Sequence, residues 1–177
     1  MKDVFFLERR GLVIVHTGDG KGKTTAALGL ALRAFGAGLR VLILQFIKGK
    51  KDSGELKALK LLGVEIRQCG LGFITKENFA EQKKSARIAL DLAQKEILSG
   101  DWDLIILDEI NYAAKFGLVD ASELLELIKI RPPTLHLVFT GRDALPELVE
   151  AADLVTEMKL IKHPFQKGIA AQSGIEF

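Results

Sequence analysis

A chain of 177 residues, 48% hydrophobic and 27% charged, holds enough apolar material for one well-buried core, so one domain spanning residues 1–177 is expected. Its 25 basic and 23 acidic residues leave a net charge of +2, which excludes the broad positive field of a nucleic-acid or anionic-membrane binder; any anion binding must be local. A single cysteine, Cys69, excludes an internal disulfide and fits a reducing cytosol as an inert thiol. The leading MKDVFFLERRG is too charged and its apolar core too short for a signal peptide, and no later run approaches a membrane span, so a soluble cytoplasmic protein is expected.

Along the chain, continuous apolar runs alternate with segments of helical spacing, as in strands buried on both faces of a parallel sheet. Leu12 to Val15 reads as a first strand, Thr24 to Phe35 as a helix stopped by Gly36, and Val41 to Phe46 as a second strand. The polar connection KGKKDSG leads to a short helix over Glu55 to Leu62, which Gly63 stops before a third strand at Val64 to Arg67. An irregular stretch near Gly70 to Thr75 precedes a long helix, Lys76 to Leu98. Strands at Leu104 to Leu107 and Leu135 to Phe139 bracket a helix at Ala121 to Lys129. A helix at Leu145 to Ala151 and a last strand at Leu154 to Ile161 follow, before a basic, glycine-containing tail. The alternation predicts an α/β fold: an open, mostly parallel sheet with helices on both faces, joined by right-handed crossovers, with ligands beyond the carboxyl ends of the strands.

The segment LVIVHTGDGKGKTT passes from the first strand through a glycine- and lysine-rich turn into the first helix, which is the context of a nucleotide phosphate loop. Glycines 18, 20 and 22 permit positive φ, so several backbone N–H groups can converge on one anion at a helix N-terminus. Counted back from Gly22-Lys23-Thr24, the leading position of the usual G-x-x-x-x-G-K-S/T pattern holds Thr17 instead of glycine, so the loop is a variant. Lys23 supplies a mobile ammonium and Thr24 a hydroxyl suited to Mg²⁺. The nucleotide-binding candidates are Thr17, Gly18, Asp19, Gly20, Lys21, Gly22, Lys23, Thr24 and Thr25. Arg33 is added from the helix, where it either faces solvent or turns toward the nucleotide.

The run LIILDE, Leu104 to Glu109, describes a buried strand whose two carboxylates emerge on the ligand side. In phosphate-loop proteins such a carboxylate holds the metal opposite the loop hydroxyl, which makes Thr24, Asp108 and Glu109 the metal candidates. The other reading of Asp108 and Glu109 is a charge pair stabilising the N-terminus of a following helix. Arg142, in Thr140-Gly141-Arg142 after a strand, either offers a planar guanidinium to phosphate or is a surface partner of Asp143. Lys48 to Lys51 read as a solvated loop, and His136 and His163 lack metal-ligand spacing.

Taken together, TGDGKGKTTAALG, QFIKGK, LILDEINYA, TGR and the tail KHPFQKGIAAQSGIEF resemble the ATP:corrinoid adenosyltransferases of the cobalamin pathway, over nearly the whole chain after about residue ten and including the variant loop. The resemblance implies a phosphate-loop, RecA-like fold and transfer of the 5′-deoxyadenosyl group of ATP to the cobalt(I) of a reduced corrinoid, with release of tripolyphosphate. It implies that cobalt(I) is the nucleophile, which agrees with the lack of a serine, cysteine or histidine paired with a base in the sequence. Lys23 and Arg142 then serve catalysis by neutralising the triphosphate, together with the loop N–H groups, Thr24, Glu109 and Mg²⁺ (or Mn²⁺).

Relatives in that family often carry a Phe-x-Trp element under the corrin. Here the stretch is Gly72-Phe73-Ile74-Thr75, which retains Phe73 as the corrinoid-binding candidate and places threonine where the tryptophan stands. Without the resemblance, Phe73 reads equally as a core anchor for its loop. A homodimer and an electron-donating reductase as partner also follow from the resemblance alone. The segment before the first strand is short beside the longer leading segment of many relatives. Two other classes fit the loop: a phosphate-loop ATPase or small-molecule kinase, with Glu109 activating the nucleophile, and a non-catalytic nucleotide-binding module.

Overall fold

The computed structural model describes residues 9–49 and 53–176. The reading of the leading segment through residue 8, and part of the KGKKDSG connection, lie outside the described residues.

Six strands form one sheet in the order β3-β2-β4-β5-β1-β6, every pair parallel. They are β1 (Val13–Thr17), β2 (Val41–Gln45), β3 (Glu65–Gln68), β4 (Leu104–Asp108), β5 (His136–Thr140) and β6 (Leu154–Glu157). The helices are α1 (Lys23–Gly36), α2 (Gly54–Leu62), α3 (Phe79–Leu98), α4 (Ile110–Lys115), α5 (Ala121–Ile130) and α6 (Pro146–Ala151). A 3-10 turn at Pro164–Lys167 marks the tail. This is the α/β architecture of the phosphate-loop NTPases, as the alternation predicts.

Strand side chains alternate between two cores because successive Cβ atoms point to opposite faces. On one face Ile14, Ile43, Ile106 and Val138 pack with Ala27, Ala31 and Ala34 of α1 and with Leu56 and Leu59 of α2. On the other, Val15, Leu42, Leu44, Ile105, Leu107 and Phe139 pack with Ala86, Ala89, Leu90 and Ala93 of α3 and with residues of α4, α5 and α6. The alanines of α1, at helical spacing, bring that helix close to the sheet and so fix the phosphate turn at its N-terminus.

Most element bounds move by a few residues from the sequence reading, and three differences bear on the site. A six-residue helix, α4, starts at Ile110, directly after the acidic pair. The long helix starts at Phe79, not Lys76, because Asn78 closes the preceding turn by accepting from the Thr75 N–H at 2.8 Å. The last strand ends at Glu157, and the next residue, Met158, turns toward the phosphate loop.

Candidate active site

The phosphate turn connects β1 to α1 on the carboxyl side of the sheet. Gly18 (φ +92°) and Gly22 (φ +113°) hold left-handed conformations that disfavour any side chain. Gly20 is required for space: its N–H donates to the Met158 carbonyl at 2.6 Å, and a Cβ there would lie 2.7 Å from that oxygen. Thr17, in the position where glycine is usual, accepts a hydrogen bond from the Ala144 N–H at 3.0 Å and so ties the start of the turn to the segment after β5.

Inside the turn, Lys23 donates from Nζ to the carbonyls of Gly18 at 2.6 Å and Gly20 at 2.7 Å. It is buried, and desolvation lowers its pKa, with opposing help from Glu109 and Asp19. A polyphosphate entering the turn would offer this ammonium a charged acceptor in place of two neutral ones.

Asp108, at the end of β4, is fully buried and saturated with donors. Its Oδ1 accepts from the hydroxyls of Thr24 at 2.8 Å and Thr140 at 2.7 Å, and its Oδ2 accepts from Gln45 Nε2 at 3.0 Å. Gln45 and Thr140 escaped the sequence reading. Each is the polar residue closing a buried strand, VLILQ or HLVFT, in the same way that Asp108 closes LIILD, and that shared ending was the available signal. Glu109 adopts φ +63°, its N–H donates to Thr140 Oγ1 at 2.9 Å, and its carboxyl faces the cleft. Burial, then the neighbouring Asp108 charge, raises its pKa. Glu109 does precede α4, but its side chain makes no capping bond there.

These groups open into a cleft of about 820 Å³, within the range of about 300–1,000 Å³ usual for small-molecule sites. Asp19 through Thr25 form its phosphate end, with Glu109, Tyr112 and Arg142 beside them. Arg142 Nε lies 3.9 Å from Asp19 Oδ1, and both side chains are largely in solvent. Lys48, read from sequence as part of a solvated loop, lines the cleft, donates to Glu55 at 2.7 Å, and adds positive charge near Glu109. The tail returns to the same place: Gly174, Ile175 and Glu176 line the cleft, and Glu176 pairs with Lys21.

Phe73 and Ile74 form the apolar rim. Phe73 is 89% exposed, so it is not a core anchor. Arg33 stands ten residues along α1 from Lys23, about 15 Å at the helical rise, exposed and away from the described residues that line the cleft.

Burial raises the Cys69 thiol pKa, which disfavours the reactive thiolate. His136 Nδ1 accepts from the Leu12 N–H and His163 Nδ1 from the Phe165 N–H, both at 3.1 Å. Among the described residues there is no cluster of three histidine, cysteine or acidic side chains able to hold a metal unaided, and no helix long and apolar enough to cross a membrane.

Residues 9–177 match the family model described as ATP:corrinoid adenosyltransferase BtuR/CobO/CobP. The chain belongs to the ATP:corrinoid adenosyltransferase family. It is 41% identical to a corrinoid adenosyltransferase of Pseudomonas aeruginosa over 174 residues, covering 96% of this chain and 85% of that protein. Against the enzyme of that name from a Sinorhizobium species the identity is 39%, over 96% of this chain and 82% of the relative. Against corrinoid adenosyltransferase CobA of Salmonella typhimurium it is 37%, over 96% and 87%. The matched span of this adenosyltransferase family member takes in the whole of the cleft, from the phosphate turn to the returning tail.

Proposed function

We infer that this chain transfers the 5′-deoxyadenosyl group of ATP to the cobalt(I) of a reduced corrinoid. The cobalt electron pair forms the bond to C5′, the C5′–O bond breaks, and its electron pair leaves with tripolyphosphate. One observation supports this reading beyond the phosphate loop itself: among the described residues, the cleft is lined by no serine, cysteine or histidine, and its Lys23 and Thr24 are engaged with the Gly18 and Gly20 carbonyls and with Asp108, which agrees with a nucleophile that arrives with the second substrate. The protein then contributes alignment of C5′ with cobalt and neutralisation of the leaving group.

We assign the triphosphate to the backbone of Gly18 to Gly22, to Lys23 and Thr24, and to Arg142 at the mouth. Arg33, exposed and ten residues along α1 from Lys23, stands apart from this set. Mg²⁺ (or Mn²⁺) fits beside Thr24 and Glu109, with the buried Asp108 orienting the Thr24 hydroxyl at 2.8 Å. The donors there are all oxygens, and Mg²⁺ is usually held by one or two carboxylates plus substrate phosphates instead of a complete protein cage. When bound, the ion would offset charge on the departing tripolyphosphate. Phe73 is assigned to the corrinoid. A homodimer, an electron-donating reductase as partner and a cytoplasmic location complete the proposal, with residues 1–177 as one domain.

The test is an absorbance assay with ATP, Mg²⁺ and chemically reduced cobalamin. A light-sensitive carbon–cobalt product with one tripolyphosphate per turnover is expected. Steady orthophosphate release without corrinoid would instead identify an ATPase, and ATP binding without turnover a non-catalytic module.

A further inference from the structure

Phe73 leaves most of its ring in water, yet the backbone that carries it is held from three directions. Gln82, on the first turn of α3 and only 1% exposed, donates from Nε2 to the Gly72 carbonyl at 2.9 Å and the Phe73 carbonyl at 3.3 Å. Asn78 donates from Nδ2 to the same Phe73 carbonyl at 2.9 Å and accepts from the Thr75 N–H at 2.8 Å. From the sheet side, the Gly72 N–H donates to the Ile47 carbonyl at 2.8 Å. Gly72 itself sits at φ +98°, a conformation that sharpens the turn just before the ring.

A connection serving only to join β3 to α3 can leave its carbonyls to water. Here a buried amide is spent on two of them while the intervening benzyl side chain stays outside, so the hydrogen bonds fix the backbone from which the ring projects. We propose that Gln82 is a positioning residue for the corrinoid: it locks the Gly72–Phe73 backbone so that Phe73 meets the apolar face of the macrocycle already ordered. An exposed aromatic on a loose loop would have to lose backbone and side-chain freedom on binding, and holding it beforehand removes that cost from acceptor affinity. The inference rests on the corrinoid adenosyltransferase reading and adds a residue that touches neither substrate.

The experiment compares Gln82→Met, which keeps the length and removes the donor, with Phe73→Ala and the double variant, using the Mg²⁺, ATP and reduced-cobalamin assay. Gln82→Met is expected to raise the KM for corrinoid about tenfold, the factor equivalent to about 1.4 kcal/mol, and to leave the KM for ATP within about twofold. In the Phe73→Ala background the same change should add less than about twofold, because the two residues act through one contact.

Asn78→Ala removes the second donor to the Phe73 carbonyl at a less buried position and serves the same test if Gln82→Met does not fold. Equal rises in both KM values, or effects of Gln82→Met and Phe73→Ala that multiply, overturn the proposal. So does a Phe73→Ala enzyme with unchanged corrinoid KM. Absence of adenosylation by the unmodified protein overturns the functional reading instead.

Discussion

On the phosphate-loop wall of the cleft, Lys23, Thr24 and Asp108 already have protein partners, whereas the wall beyond β3 offers Phe73 with its ring largely in water. Three strands separate these walls, since β2, β4 and β5 lie between β3 and β1. A ligand on the first wall must exchange one set of hydrogen bonds for another, so charge and geometry select it. A ligand on the second gains by removing apolar surface from water, so shape and area select it. The contrast suits a reaction that grips a polyphosphate at one end and admits a large, partly apolar macrocycle at the other.

The sharpest way to break the contrast is Asp108→Ala. It orphans the buried donors of Thr140 and Gln45 and the half-buried hydroxyl of Thr24, at about 1–3 kcal/mol for each buried group left unpaired, so a loss of at least about 2 kcal/mol is expected in a urea titration. Phe73→Ala, by comparison, should leave that titration nearly unchanged because the side chain is exposed. Lys23→Ala should cost about 10²–10³ in kcat/KM, comparable with removing one preorganised electrostatic donor, and should also lower the unfolding midpoint, because the Gly18 and Gly20 carbonyls lose their donor. Full activity in that variant would remove Lys23 from the triphosphate site.

Gly20→Ala should cost about 1–3 kcal/mol of stability, since its Cβ would meet the Met158 carbonyl at 2.7 Å and β6 would have to shift away from the turn. Gly29→Ala on α1, where a Cβ meets nothing, is the control and should be neutral or slightly stabilising in the same thermal melt.

The smallest effect concerns pH and lies away from both walls. Burial, then the charges of Arg9 and Arg131, lowers the pKa of His136, whose Nδ1 accepts from the Leu12 N–H. A folded-state pKa below the unfolded value means that the unfolded chain binds more protons between the two. The associated stability is therefore present above about pH 6.5 and is lost as pH falls through the folded value. His136→Gln, which keeps an acceptor that cannot titrate, should reduce the drop in melting temperature between about pH 7.5 and about pH 5.5, by the equivalent of about one hydrogen bond, ~1 kcal/mol.

The four inner strands were legible because they contain continuous apolar runs, and the phosphate turn because its chemistry is local: glycines at positive φ followed by a helix start. Gln45, Thr140 and Lys48 were not, for a different reason. Gln45 meets Asp108 only through the β2–β4 register, and Thr140 reaches it from a strand 32 residues further along. Lys48 belongs to a lysine-rich connection whose composition reads as solvated, yet its side chain turns into the cleft. Arg33 shows the converse, since helical spacing alone does not say whether an exposed residue ten positions along α1 joins the residues that line the cleft.

The order of residues by itself determined an alternating α/β chain, a nucleotide turn after the first strand, an acidic pair ending a buried one and a family likeness running nearly end to end. Tertiary structure decided which polar strand endings surround Asp108, that the tail returns to Lys21 and that Phe73 projects from a pinned backbone into water. The reason is range. Backbone preference and apolar periodicity act within a few residues, whereas the partners of a buried carboxylate depend on which strands become neighbours, here in the order β3-β2-β4-β5-β1-β6.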